Sequence, residues 1–279
     1  MPTVTVVGSV NLDLVARCSQ LPRPGETITA ESFARFPGGK GANQALAAKR
    51  AGSDVSLIGA VGEDSDAEEA LALLVEAGVD LSGVRRVDAP TGLALITVGE
   101  SGENQIVVVP GANHLLATDM IDIGATDAVL CQLEIPMDAV VAAAERTQGL
   151  FCVNAAPATA LPAEVLERAD VLIVNETERD LLSDQLADTG ALVVVTLGAA
   201  GAKAFRGGRV VAEVQPPPVD PVDTVGAGDA FCGALVTALA GGTTVAAALR
   251  YGCIAGALAT TRQGAQPSLP TAAEIAEHI

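Results

Sequence analysis

Tryptophan is absent from this 279-residue sequence; tyrosine occurs once, phenylalanine five times and histidine twice. So few aromatic rings leave no platform for stacking unpaired bases. Cations are also scarce: 16 Lys and Arg stand against 34 Asp and Glu, a formal charge of −18. Binding to a phosphate backbone depends on counterion release to a basic surface, so a nucleic-acid partner is not expected. The same field repels any small anion arriving from bulk. A site for one must be built locally, from oriented backbone amides, a metal ion or a few cations. With only His114 and His278 available, a Ser-His-Asp arrangement or a multi-His metal site is hard to assemble. A general base is therefore expected to be a carboxylate.

The five cysteines, Cys18, Cys131, Cys152, Cys232 and Cys253, are scattered and form no C-x-x-C pair, which reads as buried small apolar side chains in a reducing compartment. Met1 to Val6 lacks the basic region and apolar stretch of a signal peptide, and a cytoplasmic location is expected. The one long uncharged run, Ala230 to Leu249, is about as long as a membrane span but is interrupted by Gly241-Gly242-Thr243-Thr244. A helix stop followed by a new start predicts two buried helices and no membrane partner.

Short β-branched runs alternate with Ala/Leu-rich helical patterns, the mark of βαβ units around a parallel sheet and hence of an α/β fold. Strands are expected at Thr3 to Val7, Val55 to Ile58, Ala128 to Gln132, Leu150 to Asn154, Val171 to Asn175 and Leu192 to Leu197. Helices are expected at Gly41 to Ala51, Ser65 to Ala77, Met137 to Gln148, Ala163 to Ala169 and Glu176 to Ala187. Glu26 to Phe36 and Thr91 to Val109 break the rhythm as alternating strands, the second a hairpin turning at Glu100-Ser101-Gly102-Glu103-Asn104. They imply a small inserted β sheet, a lid on a single domain spanning 1–279.

Neither the P-loop pattern nor a G-x-G-x-x-G between strand and helix is present. Three other glycine-rich segments carry the chemistry. In Asp223-Thr224-Val225-Gly226-Ala227-Gly228-Asp229 a glycine pair precedes an apolar helix, so successive N–H groups can point at one anion with the helix dipole behind them. Asp229 at that helix start is either an N-cap or a proton acceptor facing the anion, and the two roles are compatible. Gly38-Gly39-Lys40-Gly41-Ala42-Asn43-Gln44 also opens a helix, and its polar side chains beside buried alanines suggest hydroxyl recognition. Strand Thr3 to Val7 runs into Gly8-Ser9-Val10-Asn11-Leu12-Asp13, which places Asn11 and Asp13 beyond a parallel strand's carboxyl end, where ligands of open α/β sheets bind; the pattern also fits a turn.

These blocks together resemble the ribokinase-like (PfkB-type) family of sugar and nucleoside kinases, in the family's order and over the whole chain. Asn175-Glu176-Thr177-Glu178, Thr196-Leu197-Gly198, Gln132-Leu133-Glu134 and Thr261 to Ser268 add to the likeness. The resemblance implies a three-layer α/β sandwich with a mostly parallel central sheet and the inserted lid. It implies transfer of a phosphoryl group from ATP to the primary hydroxyl of a free pentose, with D-ribose the expected acceptor. Alternatives are another small acceptor, such as 2-deoxyribose, fructose or a nucleoside, or a catalytically silent sugar-binding protein.

Carried over by motif, the resemblance makes Asp229 the base and Gly226, Ala227 and Gly228 the anion hole. Asn11, Asp13, Gly39, Lys40, Asn43 and Glu134 fall on sugar-binding positions. Asn175 and Glu178 match a motif associated with Mg²⁺ and phosphate. Thr196, Leu197, Gly198, Ala199, Ala200 and Gly201 form the nucleotide loop, with Cys253 near the adenine. Asp223, Val225, Ala259, Arg262, Gly264 and Ser268 correspond to a monovalent-cation site, which implies activation by K⁺. A homodimer formed through the lid is also implied. Cys253 replaces a common Asn, and Ala199-Ala200 replaces a Ser or a Lys/Arg; both departures bear on nucleotide preference. The sugar segments are rich in acceptors and hold one cation, Lys40, as suits a neutral polyol rather than a sugar phosphate.

Overall fold

The computed structural model describes residues 1–100 and 103–279. In chain order the strands are β1 (Thr3–Val7), β2 (Asn11–Arg17), β3 (Ser32–Gly38), β4 (Asp54–Val61), β5 (Asp80–Arg86), β6 (Gly92–Val98), β7 (Asn104–Val109), β8 (Ala128–Gln132), β9 (Leu150–Asn154), β10 (Val171–Asn175), β11 (Leu192–Thr196), β12 (Ala202–Arg206) and β13 (Arg209–Val214). The helices are α1 (Lys40–Arg50), α2 (Ser65–Ala77), α3 (Met137–Arg146), α4 (Ala163–Arg168), α5 (Glu176–Leu181), α6 (Ser183–Ala187), α7 (Ala227–Ala240), α8 (Val245–Ala259), α9 (Ala265–Ser268) and α10 (Ala272–Ala276).

Nine strands form one sheet in the order β13-β12-β11-β10-β9-β8-β1-β4-β5. The run from β11 to β5 is parallel, and β12 and β13 are antiparallel additions at one edge. Alternate side chains of each strand enter different cores, as the two-residue period requires. Val4, Val6, Ala128 and Leu130 pack with α1, α2, α7 and α8, whereas Val7, Val129 and Cys131 pack with α3 and α4. The expected three-layer sandwich is therefore present. All five cysteines are free and buried. Among the described residues no helix is long and apolar enough to cross a membrane.

The lid is a separate sheet of four strands, β3-β2-β6-β7, entered twice by the chain. The expectation for the lid needs three corrections. Its central strand β2 was read as a loop or turn, although Asn11 and Asp13 sit on it, paired with Gly38 and Phe36 of β3. Residues 26–31 are not strand, because Glu26 closes a turn on Arg23 through both its amide and its side chain. Ser101 and Gly102 of the expected hairpin turn lie outside the described residues.

In the main domain β1, β8, β9 and β10 have the expected limits, while β4 extends to Asp54–Val61. The helix expected at Glu176 to Ala187 divides at Leu182, which leaves helical geometry at φ −106° and ψ 13° and turns its side chain into the core. The Gly-Gly-Thr-Thr interruption separates α7 from α8, with Thr244 capping α8 through the Ala247 amide. Three strands were not anticipated: β5 holds a glycine and two arginines, and β12 and β13 lie at an open edge with few buried residues.

Asp64 ties the two sheets together. One of its oxygens caps α2 at the Ala67 amide and accepts from the Thr91 hydroxyl, and the other accepts from the Thr91 amide, where the chain enters the lid. Burial opposes its charge, but these donors hold its pKa below the ordinary 3.8. An Asp64→Ala variant should lose about 1–2 kcal/mol in urea unfolding at neutral pH, the usual worth of an N-cap. Because the folded-state pKa is depressed, the stabilisation is present above the unfolded value and is lost as the pH falls through the folded one. The difference between the two proteins should narrow in acid.

Candidate active site

The site forms where α1 and α7 meet beneath the carboxyl ends of the parallel strands. Lys40, Asn43 and Gln44 occupy positions i, i+3 and i+4 of α1 and so share one face. Asp229 faces them from the first turn of α7. Its Oδ2 accepts from Asn43 Nδ2 at 2.9 Å and its Oδ1 from Gln44 Nε2 at 2.9 Å. Gln44 Nε2 also donates to Asn154 Oδ1 at 3.0 Å, which fixes the amide's orientation. Asp229 is therefore not an N-cap: that position belongs to Gly226, and both carboxylate oxygens are held by α1.

Burial raises the Asp229 pKa above the ordinary carboxylate value; the Lys40 charge and the two amide donors work against that rise. Lys40 shows the reciprocal balance. Burial disfavours its charge, but Asp229 and then Glu134 outweigh it, and its pKa lies above the ordinary value. The result is a protonated lysine beside a carboxylate that binds protons more readily than an exposed one.

Gly226 opens α7 at φ 79°, and a Cβ there would lie 2.8 Å from Ala265 Cα, so no larger residue fits without moving α9. Of the amides expected to form an anion hole, that of Ala227 donates to Thr224 O at 3.3 Å. Those of Gly226 and Gly228 have no acceptor among the described residues. They open on a recess of about 250 Å³ that is also lined by Lys40, Asn175, Glu178, Thr196 and Asp229. Here the lysine departs from the expectation. Its main-chain amide meets Glu134 Oε2 at 3.1 Å, but its side chain lines this recess with Asn175 and Glu178 instead of turning to the lid. Asn175 and Glu178 form a capping box on α5, each accepting from the other's amide at 2.8 Å.

On the lid side Asn11 and Asp13 lie on the same face of β2. Asn11 is buried and its Oδ1 accepts from Asn113 Nδ2 at 2.7 Å; Asn113 is fixed in turn by the main chain of Val10 and Pro110. Asp13 is buried beside Glu134 and Asp229, and desolvation followed by those two charges raises its pKa to about 7. Glu134 accepts from Ser9 Oγ at 2.6 Å and braces the start of α1. Gly39, with φ 85°, precedes that helix. Among the described residues Asn43 Oδ1 and Gln44 Oε1 are buried without a hydrogen-bond partner, so their acceptor capacity is unspent.

From the recess a larger cleft of about 840 Å³ continues past Thr196, Gly198, Ala199, Ala200 and Gly201 to Cys253 on α8. Leu197 does not belong to it and packs against the α3 side of the sheet. Asp223 lies beneath the lid, its oxygens accepting from the Val225 and Gly264 amides at 3.0 Å and approached by Arg17 of β2 at 4.0 Å. Ala259 and Ser268 are buried, Ser268 donating to Ala265 O. The Arg262 side chain turns outward to Glu274.

Asn113, Asn154 and Ser9 were not among the expected site residues, and Gln44, expected with Asn43 to meet a hydroxyl, instead orients Asp229. Asn154 had a signal: apolar β8, β9, β10 and β11 each end on a polar residue, Gln132 level with Asn154, and Asn175 level with Thr196 two residues further along.

Residues 1–272 match the family described as pfkB family carbohydrate kinase. A ribokinase of Haemophilus influenzae is 36% identical over 303 residues, covering 99% of this chain and 98% of that protein. A crystal structure of ribokinase from Thermotoga maritima superposes with a TM-score of 0.91 at 32% identity, covering 100% of this chain and 99% of that one. The structure of Arabidopsis thaliana ribokinase complexed with ribose and ATP gives a TM-score of 0.87 at 30% identity, covering 99% and 98% of the two chains. Both the match along the sequence and the correspondence of folds extend over nearly the whole molecule, and the chain belongs to the pfkB family of carbohydrate kinases.

Proposed function

We propose that this chain transfers the γ-phosphoryl group of ATP to the primary hydroxyl of free D-ribose, with Asp229 as general base. The observation that carries this reading is the placement of Asp229. Both its oxygens are oriented by α1, and it lies between the acceptor-rich lid face and the free amides at the start of α7. Phosphoryl transfer asks little covalent chemistry of a protein beyond an oriented hydroxyl and neutralised phosphate oxygens. Asp13, Asn11, Asn43 and Glu134 accept from sugar hydroxyls, Asp229 takes the proton of the attacking hydroxyl, and the Gly226 and Gly228 amides with Lys40 receive the transferred group. The lid excludes water, whose attack on ATP is the competing reaction.

Two ions suit the residues present. Glu178 keeps one carboxylate oxygen free of any hydrogen bond among the described residues and lines the phosphate recess, a hard oxygen suited to Mg²⁺ held through water. Mg²⁺ supplies charge neutralisation on the phosphates. The carbonyls of Val225, Ala259 and Arg262 accept no hydrogen bond among the described residues, and Gly264 is tied to Asp223 by its amide; uncharged oxygens beside one carboxylate suit K⁺. A cytoplasmic enzyme and a homodimer complete the reading. The dimer forms through the lid, whose edge strand β7 exposes Ile106, Val107, Val108 and Val109. Light scattering at micromolar concentration should give twice the 27.9 kDa chain mass, and a monomer would refute the pairing.

Sugar-dependent ADP release, run over D-ribose, 2-deoxyribose, fructose and a nucleoside, tests the assignment. D-ribose should give the highest kcat/KM, and K⁺ should raise it. Asp229→Asn should slow turnover by about 10² or more while ribose still binds; near-normal turnover would remove Asp229 as the base.

Asp13 makes sugar binding pH-dependent. Its folded-state pKa of about 7 lies above the ordinary 3.8, so folded protein holds the proton through that window and stability declines as pH rises across it. Sugar hydroxyls donate to the ionised form, so binding expels the proton and weakens as pH falls below about 7. Calorimetry in buffers of different ionisation heat should detect proton release near neutral pH, absent in Asp13→Asn.

A further inference from the structure

The two ends of the large cleft differ in chemistry. Thr196, Thr224 and Gly228 line both this cleft and the recess that holds Asp229, so they mark its phosphate end. The rest of the cleft receives the base. It is lined by the face of α8 formed by Cys253, Gly256 and Ala257, at positions i, i+3 and i+4, and by Pro216-Pro217-Pro218.

These walls grip a flat ring but have little with which to read its edge. Three successive prolines present no amide hydrogen. The hydroxyl of Thr260, just past the end of α8, is spent on Ala257 O at 2.7 Å. Gln215 is exposed, and among the described residues no charged side chain lines the cleft. Cys253 is buried with its Sγ 3.8 Å from Val214 O, and burial pushes its pKa up to about 12, so it is a neutral thiol engaged with the main chain. Contact with such surfaces rewards burial of any base. An apolar pocket discriminates between similar ligands by only about 10–200-fold, whereas a site that hydrogen-bonds its ligand rejects an unmatched one by about 10⁴–10⁵.

We propose that Cys253 is the specificity-determining position that leaves this kinase weakly selective among nucleobases, so that GTP and CTP serve as phosphoryl donors beside ATP. The proposal rests on the reading of this cleft as the donor site. The reaction is unchanged: the bond from the γ-phosphorus to its bridging oxygen breaks, one to the sugar oxygen forms, the hydroxyl proton passes to Asp229, and the nucleoside diphosphate leaves.

Initial rates with ATP, GTP and CTP at saturating ribose and Mg²⁺ provide the test. The three kcat/KM values should lie within about tenfold of one another. A preference for ATP beyond about 200-fold, more than an apolar pocket supplies, would overturn the proposal while leaving the kinase assignment intact. No diphosphate release from any nucleotide with any sugar would overturn the kinase assignment itself. Cys253→Asn places an amide donor and acceptor at the base end. It should change the ratio of Kd values for ADP and GDP, measured by calorimetry, by about tenfold or more. An unchanged ratio in that folded variant would remove position 253 as the determinant.

Discussion

The catalytic half of the molecule depends on one contact, the packing of the first turn of α1 against the first turn of α7. A carboxylate buried as deeply as Asp229 persists only if its oxygens are satisfied, and Asn43 and Gln44 satisfy both. Those amides come within reach because the two helices are built from small residues where they touch. A Cβ on Gly233 would stand 2.6 Å from the Cβ of Ala47. Gly41 has the main chain of Gly8 where its own Cβ would be, so α1 also seats directly on the end of β1. Farther along the same interface Thr237 bonds Ser53 Oγ at 2.9 Å. The glycine and alanine content that makes the sequence look bland is what lets a charged group be buried and aimed.

The acidic composition is compatible with anion binding because the relevant field is local. Net charge acts at a distance and is screened beyond about 8–10 Å in physiological salt. The recess beside Asp229 instead presents two free amides at the positive end of α7, together with one protonated lysine. Lys40 owes its charge to the acidic groups around it, so the carboxylates of the site help hold a cation in the recess.

Most of the parallel strands were legible in the sequence because they are short, β-branched and mostly apolar, and β1, β8, β9 and β10 carry their limits in their composition. Parallel β5 at one edge and β12 and β13 at the other were not, because they bury few side chains and leave weak patterns, and in β2 the polar Asn11 and Asp13 break the apolar run. The motif residues were legible, but their directions were not. Nothing in Gly-Gly-Lys-Gly says that Lys40 gives its amide to Glu134 and its side chain to the phosphate recess; that division follows from the helix starting at Lys40. Asn113 was invisible for a related reason: it acts by fixing Asn11 across the lid junction, 102 residues away in sequence.

The two substrates meet different physics. The side proposed to take the acceptor converges buried, oriented polar groups, Asn11 held by Asn113, Asn43 and Gln44 held on Asp229, and Glu134 held by Ser9. A misplaced or missing hydroxyl there strands a buried acceptor, a penalty of about 1–3 kcal/mol for each group. The donor side, as proposed, is mostly apolar surface, small residues on α8 and three prolines, with free amides only toward the start of α7. Orientation at the reacting centre requires strictness about the hydroxyl that attacks and the phosphorus that receives it. It requires none about the far end of the donor, remote from the bond that breaks. The distribution of polar groups along the cleft therefore follows the geometry of the transfer: dense where displacement costs rate, sparse where it does not.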